Sequence, residues 1–324
     1  MYVLFRKIGF EDIIKLILDI DIVWFIIGLA ILTISNVLGA WQWKLILVAQ
    51  KITISYKKVI SYYYEGLFFN NFLIGYIGGD LIRIYNVTKN SNSTAESISS
   101  VILDRFIGFT TLASMALISS VVWIHNSISV KILPITLTIL CGWILLIFLL
   151  FNDSIIGQHK DLFKKILPQK IADKISEIYH AMRSFADAKS VFLKIILISL
   201  VTQLLRILVH FIAARSIGIR IDFIYFLIFV PIIALVSSLP ISVGGIGVRE
   251  TSGVALFSKV WSAESDIVVF EMIAYLLGII STVPGGLIFM LHKEHKEPLK
   301  PGEIYDEKKN PDIHVGSIHN HHLY

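Results

Sequence analysis

Two stretches decide how this chain is read: Asn70-Asn71-Phe72-Leu73-Ile74-Gly75-Tyr76-Ile77-Gly78-Gly79-Asp80, and Leu239-Pro240-Ile241-Ser242-Val243-Gly244-Gly245-Ile246-Gly247-Val248-Arg249-Glu250. Each places glycines beside charge within an otherwise apolar sequence. Unwound backbone at membrane depth survives only where protein buries it or where it lines a wet cavity. Paired interruptions of this kind, one in each half of a membrane chain, mark a transport-type binding site.

The surroundings of both stretches point to lipid. The chain is 55% hydrophobic and 16% charged, against about 25% charged for a soluble domain, and its mean hydropathy is +0.74. Asp, Glu, Lys and Arg are absent from 22–43, 106–130, 132–152, 223–248 and 272–292, each at least 20 residues long. About 20 apolar residues cross a bilayer core. A soluble helical core would need charged faces at helical spacing, which these runs lack. The fold expected is an all-α polytopic membrane protein of about six to eight transmembrane helices, in two halves, with re-entrant or broken helices.

A further span is expected near 191–214, interrupted by Arg206. Residues 59–79 carry Glu65 and end in asparagines and glycines, which reads as re-entrant. Residues 223–260, with Pro231 and the 240–247 break, read either as two short broken helices or as one helix with a re-entrant turn. The expected organisation is an interfacial segment over 1–21 and a transmembrane domain over 22–292. That domain comprises halves 22–152 and 191–292, joined by an amphipathic linker at 153–190. A polar tail follows at 293–324; its prolines and charges leave too little apolar surface to order it. In the linker, Ile171, Ile175, Ile178, Met182 and Phe185 follow the helical period.

Lys and Arg are frequent in 51–58, 83–105, the linker and the tail. The positive-inside bias puts these regions in the cytoplasm and 124–131 and 215–222 outside. The protein is thus expected to be multi-pass in the cell membrane with its C-terminus cytoplasmic. The net charge of +5 fits loops near anionic lipid, and no basic patch interleaved with aromatics suggests nucleic acid. Cys141 is the single cysteine, so no disulfide forms within the chain. No P-loop, nucleophile elbow or metal-ligand spacing is present. Gly244-Gly245-Ile246-Gly247 lacks the strand, helix and acidic partner of a dinucleotide fingerprint. No cofactor is expected.

The two broken segments, with Leu103-Asp104-Arg105 opening a span and Pro284-Gly285-Gly286 in the last helix, occur in an order that resembles the lysylphosphatidylglycerol synthase transmembrane (flippase-like) family. This family is also called UPF0104 and includes proteins labelled dolichol-phosphate-glucose synthetase-like. The resemblance covers roughly 20–292, and the second broken segment is its most specific part. It implies a bacterial or archaeal membrane protein linked to moving or modifying lipids, among them aminoacylated phospholipids and polyprenyl-linked sugars. The chain departs from the pattern at Ile74, where proline is usual. It also starts with one span fewer than is usual, and no soluble aminoacyl-transferase domain follows residue 292.

The residues themselves suggest how an anion would be held. Asn71, Gly78, Gly79 and Asp80 with Arg83, and Pro240, Gly244, Gly245 and Gly247 with Arg249 and Glu250, would converge on one polar cavity opening to the cytoplasm. Backbone N–H groups and broken-helix ends suit a phosphate. Arg83, Arg105 and Arg249 would add bidentate contacts, balanced by Asp80, Asp104 and Glu250 when no substrate is present. The alternative is that Asp104–Arg105 and Arg249–Glu250 mark helix ends at the interface. Arg206 and His210 share a helix face. Together with Glu271 they form an intramembrane polar site, either as structural glue, Arg206 pairing Glu271, or on the substrate path.

The leading functional expectation is a flippase-like protein that translocates or binds anionic phospholipid or polyprenyl-linked sugar headgroups. Its partners would be membrane lipids and a membrane synthase, not nucleic acid. The rival is a membrane-bound glycosyl- or aminoacyl-transferase, or its non-catalytic accessory subunit.

Overall fold

The structure, a computed structural model, describes residues 20–73, 77–91, 93–123, 189–239 and 242–291, with isolated positions between 125 and 182. The expected N-terminal segment, the tail and most of the 132–152 span and of the linker fall outside the described residues, as do Ile74, Gly75, Tyr76 and Pro240. The described residues form helices: α1 Ile22–Ala49, α2 Tyr56–Asn70, α3 Ile77–Ser91, α4 Thr94–Val122, α5 Lys189–Ser216, α6 Phe223–Ser237, α7 Val248–Phe257 and α8 Glu264–Leu291. Among them are no strands. The protein is an all-α polytopic membrane protein.

Four helices, α1, α4, α5 and α8, are long and apolar enough to cross a bilayer. The others are not: 15 residues in α2, α3 and α6 rise only about 22 Å, short of a ~30 Å hydrocarbon core. The 59–79 stretch is therefore shared between two short helices, α2 and α3, and 223–260 resolves into two short helices, α6 and α7. One expectation is corrected. The charge-free run after residue 105 suggests a span opening at Asp104–Arg105, yet α4 begins at Thr94. Both charges therefore sit well inside a helix, because Asp80 and Arg83 on α3 neutralise them there.

The helices form two units of the same plan, long–short–short–long: α1–α4 and α5–α8. Their packing repeats under exchange of the units. α2 packs on α8 as α6 packs on α4, and α1 packs on α8 as α5 packs on α4. At the centre, α1 and α5 run antiparallel. The Asp21 amide donates to the Ser216 carbonyl at 2.9 Å at one end. The Ser35 hydroxyl donates to the Thr202 carbonyl at 3.2 Å midway, and Ile46 shares an apolar cluster with Ile195 at the other end. The units are thus inverted relative to each other, the architecture of many secondary transporters. The α2–α3 pair follows the end of α1 and the α6–α7 pair follows the end of α5, so the broken pairs enter from opposite faces.

Lipid supplies no hydrophobic drive between helices, so small residues that permit close approach hold such a bundle. A Cβ on Gly79 would overlap the Gly66 carbonyl, and one on Gly285 would overlap the Tyr64 carbonyl. These glycines join α3 to α2 and α8 to α2. In the second unit, edge-to-face aromatics take over: Phe257 of α7 packs on Phe229 of α6 and Phe270 of α8, with ring centroids 5.0 and 5.1 Å away.

Candidate functional site

The two breaks meet. Three glycines with positive φ, Gly244 (58°), Gly245 (79°) and Gly247 (85°), turn the chain between α6 and α7, a conformation that costs an L-residue about 1–2 kcal/mol. The turn brings the Gly244 amide 3.5 Å from the Leu73 carbonyl, on the tip of the other broken pair. Beside it, the Asn71 side chain donates to Thr282 Oγ1 at 2.8 Å, and the Tyr275 hydroxyl donates to the Asn71 carbonyl at 3.4 Å. The α2–α3 tip is thereby tied to α8.

A cavity of about 250 Å³ lies at this junction, lined from both units. Of the residues singled out by sequence, Asn71, Arg83, Asp104, Arg105, Gly244 and Arg249 line it, and so do Arg206 and His210. Gly78, Gly79, Asp80, Gly245, Gly247, Glu250 and Glu271 stand behind it. Gly79 offers its N–H to Asn70 Oδ1 at 3.0 Å rather than to the cavity. Glu250 accepts from the Gly247 amide at 2.6 Å, closing the first turn of α7. It does not balance Arg249, whose guanidinium lies over the Tyr275 ring, 4.9 Å from its centroid.

Four charges form a chain between α3 and α4. Arg105 grips Asp80 through Nη2 at 2.8 Å and Nε at 3.0 Å. Asp80 lies 3.6 Å from Arg83 Nη1, and Arg83 Nη2 lies 2.8 Å from Asp104 Oδ2. Gln42 of α1 donates to the other oxygen of Asp104 at 2.9 Å. Arg83 is 3% exposed and stacks on Trp43 at 4.1 Å. Burying one such charge alone costs several kcal/mol; alternating two arginines with two aspartates removes that cost.

This chain is neutral, so the cavity's excess charge comes from elsewhere. Arg206 and Arg249 both line the cavity, and among the described residues neither forms an ion pair. The nearest polar partner of Arg206 is the Tyr63 hydroxyl at 3.4 Å. Among the described residues Arg206 forms no ion pair with Glu271, whose Oε2 lies 3.1 Å from His210 Nδ1, one turn along α5. Glu271 is 0% exposed and packs on Gly253 of α7.

Sequence reasoning missed the uncharged polar residues that line the cavity from within the spans, chiefly Asn36, Gln42, Gln203 and Tyr275. The signal was present for three of them: side-chain amides within largely apolar spans. A search for charge-free runs passes over them.

An inverted pair of broken-helix units around a polar cavity, carried by helices of bilayer length, defines the class, a multi-pass membrane protein. The family model described as the lysylphosphatidylglycerol synthase TM region matches residues 1–285, and the chain belongs to that family. It is also similar to the UPF0104 membrane protein PH1989 of Pyrococcus horikoshii, 27% identical over 311 residues, which are 88% of this chain and 92% of that protein.

Proposed function

We propose that this protein binds the anionic headgroup of a membrane lipid in the cavity between its two units and passes it across the bilayer. The observation that carries this reading is the pair Arg206 of α5 and Arg249 of α7, facing a cavity whose other lining charges pair with one another among the described residues. An unneutralised guanidinium at membrane depth is costly, and an incoming phosphate would compensate two at once through charge-assisted hydrogen bonds. The inverted units supply the movement. Two equivalent broken pairs entering from opposite faces let a central site open to each face in turn.

The test is lipid movement in vesicles. The full chain is reconstituted in phosphatidylcholine vesicles containing phosphatidylglycerol with a fluorescent headgroup-proximal label, and leaflet exchange is read by quenching from outside. Exchange is expected for the native protein and is lost in Arg206→Gln/Arg249→Gln. Undiminished exchange in that variant rejects the assignment.

A further inference from the structure

Beside the polar cavity lies a second hollow of opposite character. About 420 Å³ in volume, it runs between α1, α2 and α8 and is lined by Leu29, Val37, Ile60, Ile280, Pro284 and Ile288, with no charged residue. Val37 is 37% exposed, and Thr33 and Pro284 are exposed too, so the hollow opens outward as a groove. Two of its walls, α1 and α8, are helices that cross the bilayer. The groove therefore faces hydrocarbon.

The groove and the cavity share one residue, Ser281. Its hydroxyl accepts a hydrogen bond from Asn36 Nδ2 at 3.2 Å, and Asn36 lines the cavity. At this point the partition between them is a single side-chain pair. The backbone there is also poorly held. Pro284 has no N–H, so the Ile280 carbonyl lacks its helical donor, and a helix bends at such a point.

We propose that this groove seats the hydrocarbon chain of the same lipid whose headgroup enters the cavity, the lipid arriving sideways from the bilayer past Asn36 and Ser281. The inference rests on the headgroup reading above and adds where that lipid's hydrocarbon sits and the side from which it enters. The commitment to this occupant follows from continuity. Of the polar residues in the groove's lining, Thr33, Tyr64 and Ser281, it is Ser281 that also lines the cavity with excess arginine charge.

The experiment uses the full chain in phosphatidylcholine nanodiscs doped with phosphatidylglycerol whose acyl chain carries a diazirine. Illumination followed by peptide mass spectrometry reads where the chain lies. Groove residues Val37, Ile60 and Ile288 are expected to be labelled several-fold more than Leu193 and Leu197, on the exposed face of α5. That preference vanishes in Arg206→Gln/Arg249→Gln and with phosphatidylcholine carrying the same diazirine. A second variant, Val37→Trp, fills the groove: lipid exchange falls several-fold, while inorganic phosphate still raises thermal stability as in the native protein. Equal labelling of groove and α5 face, or a preference indifferent to headgroup, overturns the proposal. If phosphate stabilises the native protein but not the arginine variant while labelling shows no groove preference, the anion cavity stands and the groove falls. If phosphate has no effect and labelling shows no preference, both fall.

Discussion

The Gly244 amide nitrogen lies 3.5 Å from the Leu73 carbonyl oxygen. These residues lie at the breaks of two helix pairs that enter from opposite faces, and Gly244 lines the polar cavity beside their contact. It also explains why glycine stands at 244. A Cβ there would sit 2.6 Å from the Tyr275 hydroxyl and 3.0 Å from the Asn71 carbonyl, at a φ of 58°.

Gly244→Ala tests that contact. Left-handed backbone alone costs an alanine about 1–2 kcal/mol, and the Tyr275 hydroxyl must also move off Asn71. The expected outcome is a lower melting temperature in nanodiscs together with loss of lipid exchange. A variant that retains both would show that the tips do not bear on one another.

The arginines divide into two kinds, and stability measurements separate them. Arg83→Gln removes one member of the buried chain that neutralises Asp104, which is expected to cost about 3–5 kcal/mol. Arg249→Gln breaks no ion pair seen among the described residues and forfeits a cation–π contact with Tyr275, worth about 0.5–1 kcal/mol. Unfolding in mixed micelles should therefore show a large loss for Arg83→Gln and a small one for Arg249→Gln, although both lower lipid exchange. Equal losses would deny that distinction.

The legibility of the chain follows the same division. The membrane class was readable because charge-free runs of bilayer length leave no other fold, and both breaks were readable because glycines beside charge are costly in lipid. The inversion of the two units was not readable, since it lies in α1 packing antiparallel on α5, a relation between residues such as Ser35 and Thr202 with no local signature. The same applies to function at single positions. Gly78 and Gly79 resemble backbone donors for a phosphate, but Gly79 is small because the Gly66 carbonyl approaches it. Glycine in a motif does not state whether a ligand or a neighbouring helix needs the space. The sequence reads Arg206 equally as glue or as a ligand group, and it carries no sign that His210 rather than Arg206 lies against Glu271.

His210 and Glu271 form a unit. Glu271 has no exposed surface, and its Oε2 lies 3.1 Å from His210 Nδ1, with neither atom in a hydrogen bond among the described residues. His210→Leu takes away the polar side chain that lies against this buried carboxylate, which is expected to destabilise the protein by about 1–3 kcal/mol. Adding Glu271→Gln removes the charge that made the loss costly. The double variant His210→Leu/Glu271→Gln should therefore be more stable than His210→Leu alone, a non-additivity diagnostic of direct coupling. Additive losses in thermal melts would mean that the two side chains act independently.

The inverted arrangement makes a prediction about sidedness that needs no ligand. Because α1 and α5 cross the bilayer antiparallel, the loop after α1 and the loop after α5 must lie on opposite faces. Thr53 and Arg220 are exposed residues of these loops. With Cys141, the single native cysteine, replaced by serine, Thr53→Cys and Arg220→Cys give one thiol each. A membrane-impermeant maleimide should label one variant in intact cells and the other only in inverted vesicles. Labelling of both from one face would make the units parallel, so the broken pairs would enter together and the tips at Leu73 and Gly244 would have no means of exposing one site to each face in turn.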